Sequence, residues 1–119
     1  MAKPAVTIYH NPACSTSRKV LAAIRAAGHE PRIVEYLKTP PDRATLADLL
    51  ARAGVTPRQA MRTKGGLWRE LGLDDPAKDG DAILDALAAN PALIERPIVV
   101  TGRGVRLCRP PERLAEILA

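Results

Sequence analysis

The first 36 residues restrict the fold more than any other part of the chain. A β-branched run, a loop, an amphipathic helix and a second β-branched run follow one another there without a break. Residues 5–9 read as a strand with Val6 and Ile8 on one face, because alternate side chains of a strand share a side. Residues 18–27 read as a helix with Val20, Leu21 and Ile24 on one stripe. Thr16 or Ser17 is placed to cap its start, and Gly28 to stop it. Residues 32–36 form the second strand. Two strands joined by a single helix must run parallel, and the crossover between them is right-handed.

The middle of the chain reads as helical. Pro40 and Pro41 precede Asp42, a good cap for a helix carrying Leu46, Leu49 and Leu50 and ending near Gly54. Thr56-Pro57 resembles a cap followed by proline at the first helical position, so a short helix is expected through Met61 and Arg62. A further turn is expected through Trp68 and Leu71, and another helix over 81–89, closed by Asn90-Pro91. Residues 98–101 are β-branched, Gly102-Arg103-Gly104 is a turn, and 105–108 pairs back as a hairpin. Leu114, Ile117 and Leu118 then lie on one face of a C-terminal helix. With one Trp, two Tyr and no Phe, the core must be aliphatic. The order βαβ, helices, ββα is that of an α/β thioredoxin-like fold with a mixed four-stranded sheet. At 119 residues a single domain over 1–119 is expected.

Charge and cysteine usage narrow the function classes. The net charge of +5 admits a small anionic ligand. It does not indicate nucleic acid, since the basic residues are neither clustered nor interleaved with stacking aromatics. Cys14 and Cys108 are too few for a disulfide framework and show no metal-ligand spacing, so no metal is expected. No secretory h-region and no apolar run of membrane-spanning length appear, which points to a reducing cytoplasm and no membrane partner.

The segment His10-Asn11-Pro12-Ala13-Cys14-Ser15-Thr16-Ser17-Arg18 joins the first strand to the first helix. A thiol at a helix N-terminus meets unpaired backbone N–H groups and the positive end of the dipole, which favour its thiolate. The same N–H groups can cradle an oxyanion, with Ser15, Thr16 and Ser17 forming the anion loop and cap. His10 and Arg18 could add positive charge. Cysteine alone would read as a small core residue; the strand–loop–helix context makes it a nucleophile. Position 17, where a dithiol oxidoreductase carries its resolving cysteine, is Ser17, so a partner thiol or Cys108 must resolve an oxidised Cys14.

These residues, with Glu95-Arg96-Pro97-Ile98-Val99-Val100 and Arg106-Leu107-Cys108-Arg109-Pro110, closely resemble the glutaredoxin-coupled arsenate reductases. The likeness runs along essentially the whole chain. It implies reduction of arsenate to arsenite with no bound cofactor, using glutathione as co-substrate and glutaredoxin as protein partner. It implies that Cys14 attacks arsenic, that Arg62, Arg96 and Arg109 bind the oxyanion, that His10 helps keep the thiol ionised, and that the Arg96-Pro97 bond is cis. Guanidinium forks suit such a ligand because they stay charged and donate paired hydrogen bonds. Judged alone, Arg62 would be a solvated helix residue no more eligible than Arg58. Ser15 stands where the plasmid-type enzymes have glycine, and the chain ends at Ala119 without their C-terminal extension, so the likeness is to the shorter chromosomal members. Two other readings compete. A monothiol glutathione-dependent protein oxidoreductase would use Cys14 without needing the arginines. A thiol-based regulator binding RNA polymerase would normally carry C-x-x-C, which Ser17 removes.

Overall fold

The computed structural model describes residues 5–118. Their backbone forms two compact units, one from the described parts of Met1–Thr39 and Arg96–Ala119, the other from Pro40–Glu95. The first unit carries the whole sheet: β1 (Thr7–His10), α1 (Ser15–Ala26), β2 (Arg32–Glu35), β3 (Ile98–Thr101) and β4 (Gly104–Leu107). The strand order is β2-β1-β3-β4. β1 and β2 run parallel with Thr7 opposite Arg32 and His10 opposite Glu35. β3 is antiparallel to β1, and β4 to β3. The expected mixed four-stranded sheet is therefore present.

The apolar alternation of β1 and the stripe of α1 meet in one cluster. Val6, Ile8, Val20, Ile24, Val99, Cys108, Leu114 and Ile117 are all buried together. Each large aliphatic side chain removed from water there contributes about 1.5–3 kcal/mol. That is enough to hold the strand–loop–helix junction rigid without any aromatic ring in the cluster.

α1 starts at Ser15, three residues earlier than its sequence suggests. Cys14 is the cap residue, with extended φ −93° and ψ 123°, and its carbonyl accepts the first helical bond from Arg18 N–H at 3.0 Å. Ser17 cannot cap because its hydroxyl is bound to His10 and Asn11. The C-terminal segment also differs, forming a 3-10 helix over Pro111–Glu116. Ile117 N–H reaches Leu114 only three residues back, and Thr101 Oγ1 donates to the Ile117 carbonyl at 2.8 Å. Leu114 and Ile117 are nonetheless buried as expected. The hairpin turn shortens to Gly102-Arg103, with Thr101 paired to Gly104. The Arg96–Pro97 peptide is cis, and so is Arg109–Pro110.

The second unit holds α2 (Arg43–Ala53), α3 (Leu67–Glu70) and α4 (Gly80–Ala89), followed by a 3-10 turn at Pro91–Leu93. Asp42 caps α2 by accepting from Thr45 N–H at 2.8 Å, and Asp79 caps α4 in the same way through Ala82 N–H. Gly54 ends α2 in the left-handed region at φ 72°, a conformation glycine adopts without cost to a Cβ. Leu46, Leu49 and Leu50 are buried from α2, and Ile83, Leu84 and Leu87 from α4. The helix expected from Pro57 through Arg62 is a single turn. Thr56 and Gln59 exchange bonds as a capping pair would. Met61 then bridges Ile94, and Arg62 N–H donates to the Leu93 carbonyl at 2.6 Å. A backbone pairing outside the segment has replaced the next helical turn. Among the described residues, no helix is long and apolar enough to cross a membrane.

Candidate active site

β1 delivers the chain to a tight loop and α1 carries it away, so Cys14 sits at the junction of two elements fixed by the core. Asn11 shapes that loop twice. Its carbonyl accepts Cys14 N–H at 3.0 Å, and its side-chain oxygen accepts Ala13 N–H at 3.0 Å. Arg18 closes the loop from the helix side, donating from Nη1 to the Pro12 carbonyl at 2.8 Å. Cys14 is left half-buried, with its neighbours Pro12, Ala13 and Ser15 exposed.

Burial alone would push the Cys14 thiol up. Hydrogen bonds from Ser17 N–H and from the Arg96 and Arg109 guanidinium groups, with the charge of Arg96, outweigh it and bring the thiol down to about 7. Arg109 Nη1 lies 3.9 Å from the sulfur and donates to the Arg96 carbonyl at 2.9 Å, which ties the two arginines together. Arg96 Nε is a buried donor without a hydrogen-bond partner. Buried donors are seldom left unmet, so an acceptor on a bound anion would satisfy it. Ser15 and Thr16 occupy the first helical turn, whose N–H groups have no intrahelical partner. Ser15 has an ordinary negative φ, so serine fits there without strain.

His10 ends β1 just before the loop, as its sequence position suggests. It is buried, and burial holds its ring below the ordinary imidazole range; Glu35 opposes this, while Arg25 and Arg18 add to it. The ring is thus largely neutral at pH 7, so of the two groups that could add positive charge to the loop Arg18 is the charged one. Its Nδ1 lies 2.7 Å from Ser17 Oγ, which already accepts Asn11 N–H at 3.1 Å. We assign the remaining hydroxyl proton to a bond from Ser17 to Nδ1. Through Ser17, His10 braces the turn whose N–H supports the thiol. Replacing Ser17 by alanine would strand Asn11 N–H and His10 Nδ1 inside the protein. The expected loss is about 1–3 kcal/mol of unfolding free energy, measured by urea denaturation.

Cys108 is fully buried among the aliphatic cluster, and burial pushes its thiol up to about 12. A protonated, inaccessible thiol cannot resolve an oxidised Cys14, so resolution falls to an outside thiol. The two cysteines should therefore separate in alkylation. Iodoacetamide should modify Cys14 with a rate that rises with pH through a midpoint of about 7, since the deprotonated form reacts, while native Cys108 stays unmodified. Peptide mass mapping across pH would read both.

Arg62 lies in the second unit, 3.6 Å from Glu95. Arg58, its rival by sequence, is committed to structure: its guanidinium donates to the carbonyls of Leu73, Asp75 and Lys78. Tyr36 is buried, and Trp68 stacks beneath the Arg69 guanidinium at 5.1 Å, so each aromatic packs. Among the described residues, no group of three or more His, Cys, Asp or Glu could hold a metal ion.

Comparison with known proteins decides the family. The ArsC family model matches residues 9–117, nearly the whole chain and all of the site just described. The chain belongs to the ArsC family. An arsenate reductase from Rhizobium meliloti strain 1021 is 58% identical over 113 residues, covering 95% of this chain and 81% of that protein. An arsenate reductase from Escherichia coli strain K12 is 49% identical over the same length, covering 95% and 80%. Among solved structures, an arsenate reductase from Vibrio cholerae superposes with a TM-score of 0.92 at 43% identity, covering 98% of this chain and 100% of that one. The thioredoxin-like ArsC fold is thereby shown.

Asn11 is the site residue that the sequence reading passed over in this ArsC chain. Its signal was present in the Asn-Pro pair, since asparagine initiates turns by accepting backbone N–H groups two residues on.

Proposed function

We propose that this chain reduces arsenate to arsenite through a covalent adduct on Cys14. The observation that carries the reading is a thiol held at about 7 with the Arg96 and Arg109 guanidinium groups bonded to it at a helix N-terminus. A thiolate and an arsenate dianion repel each other. Two fixed cations and unpaired helix N–H groups supply the compensating charge where the ions must meet.

In this reading the Cys14 sulfur attacks arsenic, a sulfur–arsenic bond forms, and one arsenate oxygen leaves as water after protonation. A glutathione thiolate then attacks the Cys14 sulfur, and the sulfur–arsenic bond breaks with its electron pair going to arsenic. Two thiols end as one disulfide, and arsenic takes up the two electrons to become arsenite. Glutaredoxin removes the glutathione from the enzyme. Arg96 and Arg109 hold the remaining oxygens, and Ser17 N–H stabilises the thiolate when it leaves. His10, through Ser17, positions that turn. Arg62 is assigned as a third oxyanion ligand on the family likeness, supported by the structural commitment of Arg58. Such thiol donors are kept reduced in the cytoplasm, where we place the protein.

The test is arsenite production by purified protein given arsenate, glutathione and glutaredoxin, each thiol donor also being left out in turn. Arsenite that requires both donors supports the full scheme. An absence of arsenite, from protein whose Cys14 still alkylates with a midpoint near pH 7, would sink it and favour a protein-thiol oxidoreductase.

A further inference from the structure

At the end of the sheet away from Cys14 there is a cavity of about 270 Å³, lined by Val6, His29, Thr101, Gly102, Arg103, Ile117 and Leu118. Val6 precedes the first residue of β1, and Thr101 ends β3, which is antiparallel to it. Cys14 follows the opposite end of β1. At about 3.3 Å per residue, the path from Val6 to Asn11 puts roughly 15 Å between the two sites. A small ligand in the cavity would not touch the thiol.

The lining has two parts. Val6, Ile117 and Leu118 form an aliphatic floor. Against it stand His29, nine-tenths buried with Nδ1 lacking any hydrogen-bond partner, and Arg103, exposed on the β3–β4 turn. Among the described residues, the acids adjoining the lining in sequence are engaged elsewhere: Glu30 pairs with Arg25, and Glu116 with Arg106. The polar edge of the cavity is thus cationic, with an unmet imidazole nitrogen beside it. Size limits the occupant as well. A cavity of about 150 Å³ holds benzene, and ordinary ligand pockets begin near 300 Å³.

We propose that this cavity binds a small organic acid: one ring or a short branched chain on the aliphatic floor, with its carboxylate at Arg103 and the His29 edge. This chemistry is separate from that of the Cys14 site, which would take an inorganic oxyanion. Nothing in the proposal depends on arsenate being the substrate.

The experiment is a titration of the full chain with phenylacetate, followed by the amide chemical shifts of every residue, with neutral phenylacetamide as the comparison. Saturable shifts centred on Val6, Thr101 and Ile117 are expected. Phenylacetamide should bind about threefold to fivefold more weakly, the range that one exposed ion pair supplies. In Arg103→Gln, a change on an exposed turn that leaves the core untouched, the two probes should bind alike. Shifts that never saturate, or that centre on Cys14 and Arg109, would overturn the site. Saturable binding in the cavity with no preference for the acid would overturn the ligand class.

Discussion

Cys14→Ser should lower arsenite formation by at least about 10⁴-fold, the scale on which removal of a covalent nucleophile is felt. The substitution exchanges one atom, and what it removes is ionisation. The site brings a thiol to about 7, so about half of it is thiolate at neutral pH. A serine hydroxyl starts far higher and stays protonated under the same influences. Folding should not suffer. Position 14 is the cap of α1, and serine is among the preferred cap residues. Thermal unfolding of the variant should therefore match or slightly exceed that of the parent while turnover disappears. Retention of more than about a hundredth of the activity would show that Cys14 is not the nucleophile.

Removing the arginines should act twice. Each donor to a developing oxyanion is worth on the order of 10²–10³ in rate, so Arg96→Ala/Arg109→Ala should cost kcat/KM at least 10²-fold. The two single variants should not add, because Arg109 Nη1 also holds the Arg96 carbonyl at 2.9 Å. The second effect is on the thiol. Both guanidinium groups lower the Cys14 pKa, so their loss must raise it and move the alkylation midpoint above 7. The pH dependence separates the two roles. If the arginines only ionise the thiol, activity of the double variant recovers at pH 9, where the thiolate forms unaided. If they also bind the oxyanion, the loss persists there. Arg109→Lys, which keeps a charge but loses the fork, should fall between.

Much of this site was legible in local sequence because its parts are local. Cys14, the loop and the first turn of α1 lie within nine consecutive residues, from His10 to Arg18, and a thiol between a strand and a helix meets unpaired N–H groups in any fold that keeps that order. The caps Asp42 and Gly54 were legible for the same reason: each acts on backbone within three or four residues of itself. Where the sequence reading went wrong, a contact from elsewhere in the chain had intervened. Ser17 looked like a cap, but its hydroxyl was drawn back to His10 and Asn11. The turn at Pro57 had the signals of a helix, but Met61 was captured by Ile94.

The protonation states lay further out of reach. Cys14 and Cys108 are the same residue type in one short chain, yet one thiol falls to about 7 and the other rises to about 12. That difference comes from the Ser17 N–H bond to Cys14, from Arg96 and Arg109 arriving beside it from more than 80 residues away along the chain, and from the aliphatic side chains that enclose Cys108. The order of elements, the amphipathic faces and the position of Cys14 between a strand and a helix were set by residue spacing, which acts over a few residues. Charge, desolvation and the neutral state of His10 depend on distances between segments that only the folded sheet brings together, and tertiary structure alone decided them.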